Sequence, residues 1–228
     1  MSATPTILIL AATPIESTFL HLLPPHATLL HTGIGATNTA HALTRALIAD
    51  PKPTLVIQIG IAGAYVPGGL AVGDVALATD ETYGDVGVIT PDGWLSAQDI
   101  GLPLAPATPG HPARFNHFPL DTALVRRAAG VCAPLVARTG PFLTLSQVTG
   151  VRSLGDALFD RFGALCESME GAVAAHVCAL YDVPFLEVRG ISNLVEDRDR
   201  SRWRIQQAAE AAQRTVPRLL EHVDTLLP

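Results

Sequence analysis

Cys166-Glu-Ser-Met-Glu-Gly-Ala-Val-Ala-Ala-His-Val-Cys-Ala-Leu-Tyr-Asp-Val-Pro-Phe-Leu-Glu-Val-Arg-Gly-Ile-Ser-Asn-Leu-Val-Glu-Asp197 reads as a strand end, a helix, a second strand and a polar turn. Ala172, Ala175, Val177, Ala179 and Leu180 recur at helical spacing, with Glu170 at the helix start. Val183–Ile191 is short, mostly apolar and rich in β-branched residues, as a buried strand requires. In βαβ units ligands gather at the carboxyl ends of strands. Glu167, Met169 and Glu170 are therefore expected to share a crevice with Ser192, Asn193, Glu196 and Asp197.

Working outward, Thr6–Ala12 reads as a buried first strand, and Thr13-Pro14 stops it with a helix start that carries Glu16. A carboxylate there either complements the helix dipole or faces the crevice. Ala27–Thr32 is a short strand that Gly33-Ile-Gly35 turns into a helix over about 36–49. Thr54–Ile59 is the next buried strand, and Gly60-Ile-Ala-Gly63 reads as a turn at its carboxyl end. Val66–Leu70 is a turn, Val72–Ala78 begins another strand, and Asp74 is expected to anchor the turn before it.

Pro91 to Pro119 holds six prolines and little periodicity, which predicts a long ordered loop. Its polar residues are Arg114, Asn116 and His117, which by themselves read as solvated loop residues. Asp121 caps a helix to about Ala129, Pro141–Ser146 is a strand leading to Gln147-Val-Thr-Gly150, and a helix follows over about 153–162. A last amphipathic helix is expected from about Ser201 to Leu226.

The paired signatures Ser168-Met-Glu-Gly171 and Val188-Arg-Gly-Ile-Ser-Asn193 resemble those of the purine nucleoside phosphorylase and methylthioadenosine/S-adenosylhomocysteine nucleosidase superfamily. Ala12–Glu16, Thr32–Gly35 and Gly60–Gly63 match in the same order. Asn193 followed by Leu-Val-Glu-Asp-Arg-Asp199 is most similar to the futalosine hydrolase branch. The resemblance implies a three-layer α/β/α sandwich around a mixed, mostly parallel twisted sheet, with residues 1–228 as one domain. It implies hydrolysis of futalosine to hypoxanthine and dehypoxanthine futalosine in menaquinone biosynthesis, by a homodimer without metal or organic cofactor.

By the same resemblance Glu16 orients and deprotonates water, Glu170 binds the ribose hydroxyls, and Met169 packs on the sugar. Arg189 matches a residue that positions the water; an ion pair with Glu187 or Glu16 is its plain structural alternative. Ala62 and Gly63 approach sugar and base through their backbone, while Gln147, Val148 and Ser192 join the substrate site. Asn193 stands where adenine-specific relatives carry Asp. Its amide offers two N–H donors to the N7 and O6 acceptors of a 6-oxopurine. A neutral amide is a poor general acid, so a proton for N7 would come from water or from Asp197. No aromatic occurs at 146–149, leaving Phe142 or a residue elsewhere to stack on the base.

Other classes fit less well. A net charge of −6, with Lys52 the single lysine, argues against nucleic acid. No apolar run reaches a membrane span, and Ile7–Ala12 lacks a charged leader, so a soluble cytoplasmic protein is expected. Gly33 and Gly35 lack the third glycine of a dinucleotide fingerprint, and no P-loop occurs. Cys132, Cys166 and Cys178 lack metal-ligand spacing and read as reduced core residues. Residues 1–44 contain neither Lys nor Arg, so the early turns offer phosphate no basic partner and water is the expected nucleophile. Adenine nucleosidase, purine phosphorylase and nucleoside-binding protein are the rival readings.

Overall fold

A computed structural model describes residues 5–227. Its core is a mixed sheet in which most neighbours run parallel, flanked by helices, as the α/β expectation required. β1 (Ile7–Ala11) pairs in parallel with β2 (Ala27–His31) and with the first half of β3 (Leu55–Tyr65). β10 (Phe185–Val195) runs parallel to β3 from Val56 to Tyr65. Beyond it come β4 (Val75–Tyr83), β8 (Arg138–Thr144) and β9 (Cys166–Ser168). Antiparallel pairing of β9 with Gly63 and Ala64 brings the sheet back onto β3, so half of it closes into a small barrel.

β3 runs through the Gly60–Gly63 segment that reads as a turn in sequence. Its glycines mark close approach by other groups rather than a change of direction: a Cβ at Gly60 would strike the Arg189 guanidinium and Glu16, and one at Gly63 would crowd the Asn193 amide. β10 likewise extends past Ile191, so Ser192 and Asn193 lie inside the strand and not in a turn. The register between β10 and β3 slips between Ile191 and Asn193, a bulge that re-aims both side chains.

α4 (Gly171–Leu180) is apolar on nearly all sides, and seven of its ten residues are buried. α5 (Ile205–Gln213) packs on β10, where Gly190 lets the Ala208 carbonyl come closer than any Cβ would permit. The long terminal helix expected from sequence is broken into α5, α6 (Thr215–Glu221) and α7 (Val223–Leu226). Pro217 cannot donate to the Gln213 carbonyl, and Thr215 Oγ1 instead closes the turn on Ala212 O at 2.7 Å.

The Pro91–Pro119 segment holds β6 (Gly93–Ser96), which pairs with β5 (Gly87–Thr90), and the short β7 (His117–Pro119) at the edge of β4. One hydrophobic cluster runs from Ile7 to Leu226, and all three cysteines are free and buried. Asp74 Oδ2 accepts from the Ala71 N–H at 2.8 Å, the turn anchor expected. No helix among the described residues is long and apolar enough to cross a membrane.

Candidate active site

Along one edge of β3, pairing with β1 ends at Gln58 and pairing with β9 begins at Gly63. Between them the peptide groups of Ile61 lack a strand neighbour on that side, and side chains take its place. Glu16 Oε1 accepts the Ile61 N–H at 3.1 Å, and Arg189 Nη1 donates to the Ile61 carbonyl at 3.2 Å. A parting of the sheet thus seats a carboxylate and a guanidinium side by side.

Glu16 lies on a single 3₁₀ turn, Pro14–Ser17, instead of a longer helix. Its Oε2 accepts from both the N–H and the hydroxyl of Thr13, each at 2.9 Å, closing a capping box. Glu16 thus caps the turn with one oxygen, binds β3 with the other, and lines the cavity. It is 5% exposed, so water can still reach a carboxylate that the backbone holds still.

Glu170 sits at the N-cap of α4, and its Oε1 accepts the Gly35 N–H at 3.0 Å. Gly33 and Gly35 adopt φ of 84° and 86°, which an L side chain resists, and this turns the Gly35 amide towards the carboxylate. Arg189 Nη2 lies 3.4 Å from Glu170 Oε2. Burial pushes the Glu170 carboxyl above the ordinary glutamate range, against the pull of Arg189 and the Gly35 amide.

Arg189 is 1% exposed and is held by three carboxylates. Nε donates to Glu187 at 2.5 Å, and the Nη atoms face Glu170 at 3.4 Å and Glu16 at 3.9 Å. The ion-pair alternative is thus part of the site: Arg189 is anchored by Glu187 and spans the two carboxylates of the crevice.

These groups line a cavity of about 410 Å³ with Ala62, Gly63, Val148, Met169, Ser192 and Asn193. Gln147 does not line it; its side chain is exposed, and buried Thr149 takes that place. The cause is Glu167, whose carboxylate accepts the Thr149 N–H at 2.6 Å and its hydroxyl at 2.7 Å and draws the loop inward there. Tyr65 Oη donates to the same carboxylate at 2.8 Å. Burial raises the Glu167 carboxyl too, although these three donors oppose the rise.

Asn193 has a defined orientation. The Leu194 carbonyl, a pure acceptor, fixes the NH2 group on its side, and Ser192 Oγ, 3.2 Å from the Ala62 carbonyl, donates to Asn193 Oδ1 at 2.7 Å. One N–H is directed to Leu194 O at 3.1 Å, leaving the other as the donor available to a ligand.

The residues after Asn193 take other work. Asp197 accepts the Arg152 N–H at 3.0 Å at the start of α3 (Arg152–Phe162) and does not line the cavity. Glu196 pairs with Arg202 at 2.6 Å. Phe142 is buried in the core, whereas Trp203 lines the cavity with Arg198 stacked 4.5 Å above its ring. Trp203 is the aromatic wall missing from 146–149; its setting among alternating arginines gives it the look of a solvated helix entry in sequence. Arg114, Asn116 and His117 stay outside the cavity. Asn116 ties the loop to Tyr83, Val86 and Ala97, and His117 pairs with Asp80 at 3.1 Å.

The buried carboxylates of Glu16 and Glu170 and the buried Arg189 guanidinium thus line one cavity at a parting of a mixed sheet. Residues 18–227 match the Phosphorylase superfamily, and the chain belongs to it. It is 37% identical to the futalosine hydrolase of Streptomyces coelicolor over 92% of this chain and 85% of that one. It is 32% identical to the 5′-methylthioadenosine/S-adenosylhomocysteine nucleosidase of Geobacillus kaustophilus over 74% and 67%. The structure of a futalosine hydrolase mutant of Helicobacter pylori superposes with a TM-score of 0.79 at 18% identity, covering 96% and 100%, and shares the fold.

Proposed function

We propose that this protein is a single-domain nucleosidase that hydrolyses the N-glycosidic bond of futalosine, releasing hypoxanthine and dehypoxanthine futalosine for menaquinone biosynthesis. We assign it to the cytoplasm and to a homodimer. The relatives named futalosine hydrolase support the substrate, and the carboxylate cavity supports the chemistry.

Bond cleavage makes the sugar oxocarbenium-like and sends negative charge onto the base. Glu170 would accept hydrogen bonds from ribose hydroxyls and set its charge beside the developing cation. Glu16, already fixed by Thr13 and Ile61, would take a proton from water on the other side of the sugar. Met169 and Ile61 would pack on the sugar, and Trp203 would wall the cavity. The free N–H of Asn193 would donate to the departing 6-oxopurine, with the Leu194 carbonyl keeping the amide in that sense.

The observation that carries hydrolysis over phosphorolysis is the state of Arg189. Three carboxylates already surround this buried cation, so an incoming phosphate would meet net negative charge. Arg198 is the other arginine lining the cavity, and it stacks on Trp203.

The test is chromatography of futalosine, inosine and methylthioadenosine reactions, each with and without phosphate. Hypoxanthine from futalosine at equal rates in both is the expected result. Phosphate dependence would establish a phosphorylase, adenine from methylthioadenosine the adenine-specific nucleosidase, and binding without turnover a nucleoside-binding protein. Asn193→Asp should shift the ratio of kcat/KM towards adenine nucleosides by about 10²-fold, since a buried mismatched hydrogen bond costs roughly 2–3 kcal/mol. An unchanged ratio would mean that the base is read elsewhere in the cavity.

A further inference from the structure

Behind Arg189, among residues that do not line the cavity, two carboxyl groups converge on Gly171 at the head of α4. Glu187 on β10 and Glu81 on β4 are each 0% exposed, and both carboxyls converge on the space beside Gly171. One oxygen of Glu187 binds Arg189 Nε, and one oxygen of Glu81 accepts the Thr144 hydroxyl at 3.1 Å. The other two, Glu187 Oε2 and Glu81 Oε1, have no hydrogen-bond partner. A Cβ at Gly171 would strike both carboxyls, so the glycine that opens α4 is what makes room for the pair.

Two ionised carboxylates cannot stand this close in a dry interior, and two unpartnered buried oxygens are equally unfavourable. A single proton held by the pair removes the like-charge conflict and makes Glu81 a donor for Glu187 Oε2. We propose that Glu81 and Glu187 share one proton at neutral pH, forming a carboxylic acid–carboxylate pair that positions Arg189. Burial and the neighbouring Glu187 both push the Glu81 carboxyl well above the ordinary range, in the direction this requires. The groups facing the pair are Arg189 on β10, Cys166 on β9, Tyr83 on β4 and Glu170 at the head of α4. Arg189 is the only cation among them.

The proton leaves Glu187 as a single anion matched to Arg189. Glu16 and Glu170 then keep an excess of negative charge on the cavity side, where a sugar cation would form; this consequence, unlike the proton itself, rests on the nucleosidase reading. Glu81 and Glu187 are positioning residues that act through Arg189. Thr144 ties the pair to α4 as well, because its hydroxyl also accepts the Ala172 N–H at 2.7 Å.

The proton is read directly by infrared difference spectroscopy of the substrate-free protein. At pH 8 the wild type should show a protonated-carboxyl C=O band that shifts in D2O and is missing from Glu81→Gln. A wild type without such a band, or a band that survives Glu81→Gln and Glu187→Gln alike, overturns the proposal.

Stability supplies a second readout. Above the ordinary glutamate range the folded chain holds a proton that the unfolded chain has released, so stability falls as pH rises. The unfolding constant should grow up to about tenfold per pH unit from this pair. Glu81→Gln, a neutral donor, should lose that slope; an unchanged slope counts against a shared proton. In catalysis Glu81→Leu should lower kcat at least about tenfold, and Glu81→Gln should recover most of it. Equal losses in both would assign Glu81 to packing alone. Because the band is read without substrate, it distinguishes failure of this proposal from failure of the futalosine assignment.

Discussion

Glu16→Gln is expected to lower kcat by about 10²–10⁴-fold, the range that a positioned general base supplies, while KM changes only a few-fold. The amide oxygen can still accept from Ile61 N–H or from Thr13, so the turn and the cavity should persist. What is lost is the capacity to take a proton from water. Steady-state kinetics would separate the two parameters, and titration of a non-hydrolysable nucleoside would check that binding survives. A variant that keeps near-wild-type kcat would transfer the base role to another carboxylate, with Glu170 the nearest alternative across Arg189. Loss of binding together with turnover would make Glu16 chiefly a scaffold for β3.

Arg189→Met should destabilise the fold by about 3–5 kcal/mol, the cost of stranding buried charge when one partner of an ion pair is removed. Glu187, Glu170 and Glu16 would all lose their common cation, and none is more than 5% exposed. Denaturant unfolding should show a lower midpoint at an unchanged slope. The deficit should shrink as pH falls, because each stranded carboxylate can then take up a proton. A loss below about 1 kcal/mol at pH 8 would mean that the carboxylates had already taken up protons or water in place of the cation.

Much of this site is legible from sequence because its residues sit at element junctions, where chemistry and local structure use the same signals. Thr13-Pro14 before Glu16, and Glu170 before the apolar run of α4, are both helix starts. The glycines mislead for a physical reason. Gly60 and Gly63 read as a turn, yet they are strand residues whose missing side chains make space for Arg189, Glu16 and Asn193. That space comes from strands distant in the chain, and no local pattern records it.

The partner of Glu167 and the place of Trp203 are obscured in another way. Glu167 stands one residue before the Ser168-Met-Glu-Gly171 signature, and its effect on Thr149 depends on β9 returning to β3. Trp203 lies in a run where Arg198, Arg200, Arg202 and Arg204 alternate with Asp199 and Ser201, a pattern that suggests solvent, yet Arg198 covers its ring instead of leaving it bare. Gln147 and Asp197 show the limit of analogy by position: a shift of one or two residues along a loop decides which side chain enters the cavity.

β3 pairs with β1, β10 and β9 and touches Glu16 and Arg189 through one residue, Ile61. A strand paired along one whole edge, and on the other at both ends with side chains bridging the gap, has no private way to open. Local fraying that would spoil the geometry of the carboxylates must separate the barrel as well. Amides from Ile59 to Ala64 should therefore exchange with solvent deuterium only through global unfolding, at the slow limit for the whole chain. The catalytic geometry then inherits the full stability of the fold: the temperature at which the cavity loses its shape and the temperature at which the protein melts should be the same.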